Sequence, residues 1–443
     1  MRALLLVALC LLLALLAQGL PSPNTPTRDA PPSKDPFYTP PTNYENTAPG
    51  TILRHRSTPY IDSKQPNAHA HSILYRTTDN FGHATTTVTT VLIPPAADFS
   101  KLLSYQVAED SASIDCAPSY KTIRTPPNNS NLLDRLYTGS DRLFITTALQ
   151  RGWVVVVPDF EGPHAAFLAN FQAGYAVLDG LRAVLASTRF TGVDPTAAIT
   201  LWGYSGGSLA TGFAAELQPG YAPEVKILGA ALGGVIGNIA TVVRSVNRGL
   251  LAGLIPSGFY GLANVYPELA ALLEEQLVDD EAKREKFRKA RRQCLVANLE
   301  EFAGEDIVGE YFGDPDFADH PLIREVQREN ELGKSTPEMP LLVYKGTLDE
   351  VSPVDDTEAL AARYCADGAT LELREIELHE HLLLAIDGFL EAIPWLVDRM
   401  DGVEVAQGCS TSASIVPISD LDAIDTLVDT VEGGLGAAVD DLL

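Results

Sequence analysis

The chain has 443 residues, 46% of them hydrophobic and 20% charged, enough for the core of one large domain or of a domain with a sizeable insertion. Its formal net charge of −26 disfavours nucleic acid or an anionic membrane as partner.

The first element is a targeting segment. Met1-Arg2 supplies a positive start, "ALLLVALCLLLALLA" an apolar run, and Gly19 with "LPSPNTPT" the small and proline-rich exit. This is the pattern of a secretory signal over residues 1–19, and the run is shorter than the ~20 residues a bilayer span needs. No later stretch is long and apolar enough to span, so the mature chain is expected to be exported and to lack a stable membrane span. Residues 20–50 are rich in Pro, Thr, Ser and Asn without periodicity and read as an extended arm.

Export changes the reading of the five cysteines. Cys10 leaves with the signal, and Cys116, Cys294, Cys365 and Cys409 remain in an oxidising compartment. Four cysteines allow three pairings. Cys365 and Cys409 are close in sequence and flank the last apolar segments, so they are expected to pair, leaving Cys116 with Cys294. Asn128-Asn129-Ser130 is a glycosylation sequon in a polar loop, with Asn128 the acceptor.

From about Tyr75 strand patterns begin. "HATTTVTTVLIP" is β-branched and stopped by Pro94-Pro95, and "GWVVVVPDF" is a continuous β-branched run, as expected of a strand buried on both faces. "FQAGYAVLDGLRAVLAST" has helical spacing. Strand "AAITLWG", a helix after Ser205 and strand "VKILGAALGG" follow; strands "PLLVYKG" and "LELREIEL" come much later. Alternating strands and helices predict an α/β fold with a mostly parallel central sheet, its core formed by residues 51–234 and 333–408.

Residues 235–332 break that pattern. "LLAGLIPSGFYGLANVYPELAALL" is apolar with Gly and Pro breaks, and "EAKREKFRKARRQ" reads as a solvated helix face. The segment is expected to be a helical lid or cap over the C-terminal edge of the sheet, where long insertions commonly cover a substrate. Residues 409–443 form an acidic C-terminal tail with spaced Leu, Ile and Val.

The chemistry concentrates at Gly203-Tyr204-Ser205-Gly206-Gly207, which follows the strand residues "ITLW" and opens the helix "SLATGFAAEL". A strand, a sharp G-x-S-x-G turn and a helix make a nucleophile elbow, with helix amides aimed at developing negative charge. A hydroxyl needs an imidazole base, and the base a carboxylate, in chain order Ser, Asp or Glu, His. Of eight histidines only His320, His379 and His381 follow Ser205, and His320 precedes the best carboxylate. His379 and His381 both lie in "ELHEHLLLA" just past a strand; His381 is preferred at the strand-to-helix junction, with His379 the alternative. Asp349 in "PLLVYKGTLDEVSP" is the preferred carboxylate, ahead of Glu350, Asp355 and Asp356, which are adjacent or further from the strand end. The oxyanion donors are expected to be the Gly206 amide and a group from "SYQVAEDSASIDCAPSY". No metal set, dinucleotide fingerprint or P-loop is visible, so no cofactor is expected.

These residues resemble the fungal secretory lipases of the lipase A type. "EDSASIDCAPSY", "VVVPDFEGPHAAFLAN", "AVLDGLRA", "WGYSGGSLAT", "APEVKILGAALGG", "YKGTLDEVSPV", "ARYCADGA" and "EHLLLAIDGFLEAIPWLVDRMDG" look like that family's blocks in the family's order, over about residues 36–402. The resemblance implies an α/β-hydrolase core with an inserted helical lid, a Ser205–Asp349–His381 triad, disulfides Cys116–Cys294 and Cys365–Cys409, and an oxyanion site from Asp110 and Gly206. An aspartate in that role has to be protonated or donate through its backbone. "GGVI" departs from the Thr-Pro expected after the glycines, at the lid hinge. The reading is a secreted serine hydrolase of fatty acyl esters, foremost a triacylglycerol lipase, meeting lipid or ester at a lipid–water interface. The alternatives are a short-chain carboxylesterase or a serine peptidase of the same fold. Nothing in the sequence fixes the oligomeric state.

Overall fold

The computed structural model describes residues 30–60, 65, 67–121, 132–314 and 316–414, with 132–138 described by their backbone alone. The signal region, the sequon at Asn128 and the tail beyond 414 lie outside the described residues.

The described residues form a sheet in the order β1-β2-β3-β5-β4-β6-β7-β8-β9-β10. The strands are β1 (Ile52–Thr58), β2 (His69–Thr78), β3 (Ala84–Ile93), β4 (Asp98–Gln106), β5 (Trp153–Pro158), β6 (Ala198–Tyr204), β7 (Ile227–Gly233), β8 (Leu341–Gly346), β9 (Leu371–Ile376) and β10 (Cys409–Ser414). β1-β2, β2-β3 and β3-β5 pair antiparallel, and from β5 through β4 and β6 to β10 every neighbouring pair is parallel. The continuous valine run of β5 is explained by burial on both faces. Val154 and Val156 pack in one core cluster, with the helices Asn170–Leu185 and Gly206–Tyr221, while Val155 and Val157 pack in the other, with Phe144, Trp202 and the helix Phe389–Met400. Parallel strands end on the same side, so the turns after β4, β6, β8 and β9 gather at one edge, where ligands meet open α/β sheets.

Between β7 and β8 the chain leaves the sheet for a series of helices. Their apolar side chains, among them Phe259, Tyr260, Phe287, Phe302, Tyr311 and Phe317, belong to the same core cluster as the sheet face carrying the helix Gly206–Tyr221. The charged run lies on the helix Glu281–Lys289, whose Phe287 is buried. Its cations are matched within the chain, Lys286 with Glu305, Arg288 with Glu274 and Lys283 with Glu310.

Two segments differ from the sequence reading. The arm residues 30–50 are not extended; they hold three short 3₁₀ turns and dock on the core. Proline at the start of two of these turns suits them, and Arg56 pairs with Asp35 while Ser33 donates to Asp115 through both amide and hydroxyl. The expected tail begins later than Cys409, because Cys409–Ser414 pairs with β9 as the edge strand β10. The Cys365–Cys409 disulfide brings this Ser/Thr-rich segment alongside β9, and its exposed polar side chains suit a sheet edge.

Candidate active site

At the end of β6 the backbone turns so sharply that Ser205 takes φ 53°, ψ −121°, and the helix Gly206–Tyr221 starts at the next residue. Only small residues can flank it. A Cβ on Gly203 would lie 2.1 Å from the Gly207 carbonyl oxygen, and one on Gly207 would lie 2.0 Å from the carbonyl oxygen of Gln106 on β4. Gly206 is required for another reason. A Cβ there would sit 1.9 Å from Asp110 Oδ1, so its hydrogen leaves room for a carboxyl group beside Ser205. The strain at Ser205 is held by its amide, which donates to the Gly233 carbonyl of β7 at 3.0 Å.

Asp349 follows β8 and His381 follows β9, on adjacent strands of the sheet. His381 Nε2 lies 2.8 Å from Ser205 Oγ, and its Nδ1 lies 2.7 Å from Asp349 Oδ2. These partners assign the tautomer: Nδ1–H donates to the carboxylate, and Nε2 accepts from the hydroxyl. Asp349 Oδ1 accepts from the amides of Val351 and Ser352 at 2.9 and 2.8 Å. Burial pulls the Asp349 carboxyl upward, but His381 and the Lys345 ammonium outweigh it and hold the group well below the usual carboxylate range. It therefore stays ionised through the whole working range of pH.

The second histidine takes a separate partner. His379 Nε2 meets Asp387 Oδ2 at 3.0 Å and Nδ1 meets the Glu377 carbonyl at 3.0 Å, so the structure brings His381 and not His379 to Ser205. His320 caps the helix Pro321–Glu329 by accepting from the Leu322 amide. Asp355 and Asp356 occupy the first turn of the helix Val354–Ala366.

Asp110 lies past β4 with φ 45° and is 3% exposed. Its Oδ1 has no hydrogen-bond partner. Burial first, and then the charge of Asp141, push its carboxyl up to about 7. Below about pH 7 such a group carries a proton and can donate it. The Gly206 amide, in the first turn of its helix, has no partner within that helix.

Sequence reasoning missed three supports. Tyr204 donates its hydroxyl to the His381 carbonyl at 2.8 Å, Glu350 accepts from the His381 and Leu382 amides, and the fully buried Lys345 donates to Asp349 Oδ2 at 2.8 Å. Tyr204 and Glu350 sit next to predicted site residues. Lys345 carried its own signal, a lysine inside the apolar strand "PLLVYKG".

Two cavities meet at Ser205 and Asp110. One runs under the inserted helices between Leu209, Ile239, Val243, Ile255, Phe259 and Ile323 and is almost wholly apolar. The other lies on the His381 side and adds Ser140, Asp141, Leu295 and Leu299. Among the described residues no cluster of His, Cys, Asp and Glu is placed to hold a metal ion, and no helix is long and apolar enough to cross a membrane. Disulfides join Cys116 to Cys294 and Cys365 to Cys409.

The secretory lipase family model matches residues 128–408. Lipase A of Arthroderma benhamiae is 46% identical over 409 residues, covering 90% of this chain and 86% of that protein. The trichothecene C-3 esterase of Fusarium sporotrichioides is 37% identical over 399 residues, covering 86% of this chain and 87% of that protein. Among solved structures, Candida antarctica lipase A in its closed state superposes with a TM-score of 0.82 at 27% identity, covering 92% of this chain and 96% of that one. The fold is that of an α/β-hydrolase, and a secreted protein fits both the family and the two disulfides. Sequence match, fold and relatives agree that this chain belongs to the secretory lipase family and is a carboxylic ester hydrolase.

Proposed function

We propose that Ser205, His381 and Asp349 are a catalytic triad that cleaves long-chain acyl esters, foremost triacylglycerol, through an acyl-enzyme. The observation that carries this reading is the hydrogen-bonded line Oγ–Nε2, Nδ1–Oδ2, at 2.8 and 2.7 Å, opening into an apolar pocket under the inserted helices. Ser205 Oγ attacks the ester carbonyl as its proton passes to His381 Nε2. The imidazolium, stabilised by ionised Asp349, returns that proton to the departing alkoxide. Water, deprotonated by His381, then attacks the acyl-serine, releasing the acid and restoring the hydroxyl.

Negative charge on the carbonyl oxygen is met by two donors in this reading, the Gly206 amide and the protonated carboxyl of Asp110. The preorganisation is structural: Ser205 is fixed by strain, Gly206 by its helix, and Asp110 by burial. The apolar cavity takes the acyl chain, because its lining offers burial and almost no polar partner. The alcohol leaves on the His381 side, through the second cavity. The chain acts outside the cell after losing residues 1–19, and it meets lipid at a lipid–water interface.

A second reading is a carboxylesterase for more compact esters, favoured by the family's trichothecene C-3 esterase at 37% identity. A panel of p-nitrophenyl esters from two to eighteen carbons, run on the wild type and on Ser205→Ala, tests both. Long-chain turnover that vanishes with Ser205→Ala, with an unchanged melting transition, is the expected result. Turnover retained by Ser205→Ala refutes the triad, and turnover confined to the shortest esters favours the second reading.

A further inference from the structure

A lysine in a central strand is an expensive residue. Lys345 lies on β8 with its side chain 0% exposed, where an ammonium has lost all its water. Two oxygens replace that water. Nζ donates to Asp349 Oδ2 at 2.8 Å and to the carbonyl of Val235 at 3.0 Å. Asp349 Oδ2 is also the oxygen that faces His381 Nδ1 at 2.7 Å. The same carboxylate oxygen is thus shared by a cation and by the imidazole. Val235 is the second residue beyond β7, where the chain leaves the sheet for the inserted helices, and its carbonyl accepts from Thr357 Oγ1 as well. Between them, Gly234 packs so closely that a Cβ there would lie 3.0 Å from His381 Cε1.

We propose that Lys345 is a positioning residue of the hydrolase: it orients the carboxylate of Asp349, offsets its charge at His381 and ties the acid loop to the root of the inserted helices. This rests on the triad reading above. The electrostatic sense follows from the sharing. An isolated carboxylate would meet the imidazolium with its full charge. Lys345, bonded to the same carboxylate oxygen, cancels part of that field, and removing it strengthens the attraction between Asp349 and the imidazolium. Other groups face the pair. Glu350 holds the His381 amide, Tyr204 holds its carbonyl, Asp387 is engaged by His379, and Asp356 adds negative charge toward the Lys345 ammonium. Burial lowers the affinity of Lys345 for its proton, and Asp349 offsets only part of that.

The experiment is a kcat/KM–pH profile for wild type, Lys345→Met and Lys345→Gln with a soluble p-nitrophenyl ester, beside thermal melts. Lys345→Met removes charge and bond together; Lys345→Gln keeps a donor and carries the same test should the Met variant fail to fold. The expected result is an acidic limb moved to higher pH by about one unit in both, the displacement a charge within 4–6 Å produces. Near pH 6 this gives roughly tenfold lower kcat/KM, recovering by pH 9. An acidic limb that stays in place, with or without a uniform loss of rate, overturns the proposal. The two readings fail separately: with Ser205→Ala inactive the triad stands whatever the lysine variants do, and an active Ser205→Ala removes the triad itself.

Discussion

Replacing Asp110 by Asn tests the protonated carboxyl directly. Asn keeps the shape, tolerates the positive φ of 45°, and offers an amide donor in place of the acid. Asp110 is raised from 3.8 to about 7 in the fold, by burial and then by Asp141. The unfolded chain therefore releases this proton some three pH units before the native state does. A group whose native pKa is raised contributes stability that is fully present at acid pH and is lost as pH rises from the unfolded value through the folded one. Here the window runs from about pH 4 to about pH 7, and at about 1.4 kcal/mol per unit the loss sums to about 4 kcal/mol. Asp110→Asn carries no such proton. Asp159, also pushed up to about 7, chiefly by burial, keeps its own slope in both proteins, whereas Asp141, Glu109 and Glu161 lose the Asp110 charge beside them, which adds to the difference. Urea unfolding at pH 4, 5.5 and 7 measures the difference, provided m stays constant. The two proteins should be nearly equal at pH 4, and by pH 7 the variant should keep about 4 kcal/mol that the wild type has lost. Parallel stability curves would refute the protonated state. In activity the amide should sustain turnover above pH 7, whereas Asp110→Leu, with no donor, should lose about 10²–10³ in kcat.

Two further outcomes can be checked on the same ester panel. His381→Ala should lower kcat by about 10⁴ or more, while His379→Ala, which removes only the pair with Asp387, should stay within about tenfold. Val243→Trp, on the half-buried wall of the apolar cavity, should cut hydrolysis of the longest acyl chains roughly tenfold relative to short ones; an unchanged chain-length profile would place the acyl group elsewhere.

Much of the site was legible because its chemistry demands rare local patterns. The glycines around Ser205 record contacts of about 2 Å that no larger residue survives. The order of Ser205, Asp349 and His381 follows from parallel strands ending at one edge. Choosing between His379 and His381 was harder, since both flank Glu380 beyond the same strand. The structure separates them by the direction of one helix start, which aims one ring at Ser205 and turns the other to Asp387. Long-range pairing was less legible. β10 is Ser/Thr-rich and exposed, so no apolar alternation marks it, and only a disulfide partner in the helix Val354–Ala366 brings it to β9. Lys345 stood in plain view in an apolar strand, but its partner Val235 is distant in sequence and offers only a backbone oxygen, which leaves no compositional trace.

The bond between Cys116 and Cys294 has a mechanical meaning. It crosses from the loop that carries Asp110 to the inserted helices, and two hydrogen bonds run beside it, from Ser111 to the Gln293 carbonyl and from Asn264 to the Ala112 carbonyl. The inserted helices and the loop that carries Asp110 are therefore riveted together at one end. On the mechanism proposed above, an ester would enter by sliding or parting helices farther along, since prising up the riveted end would drag Asp110 away from Ser205. Cutting that rivet with a reductant would, on the same reading, trade catalytic power for a wider door.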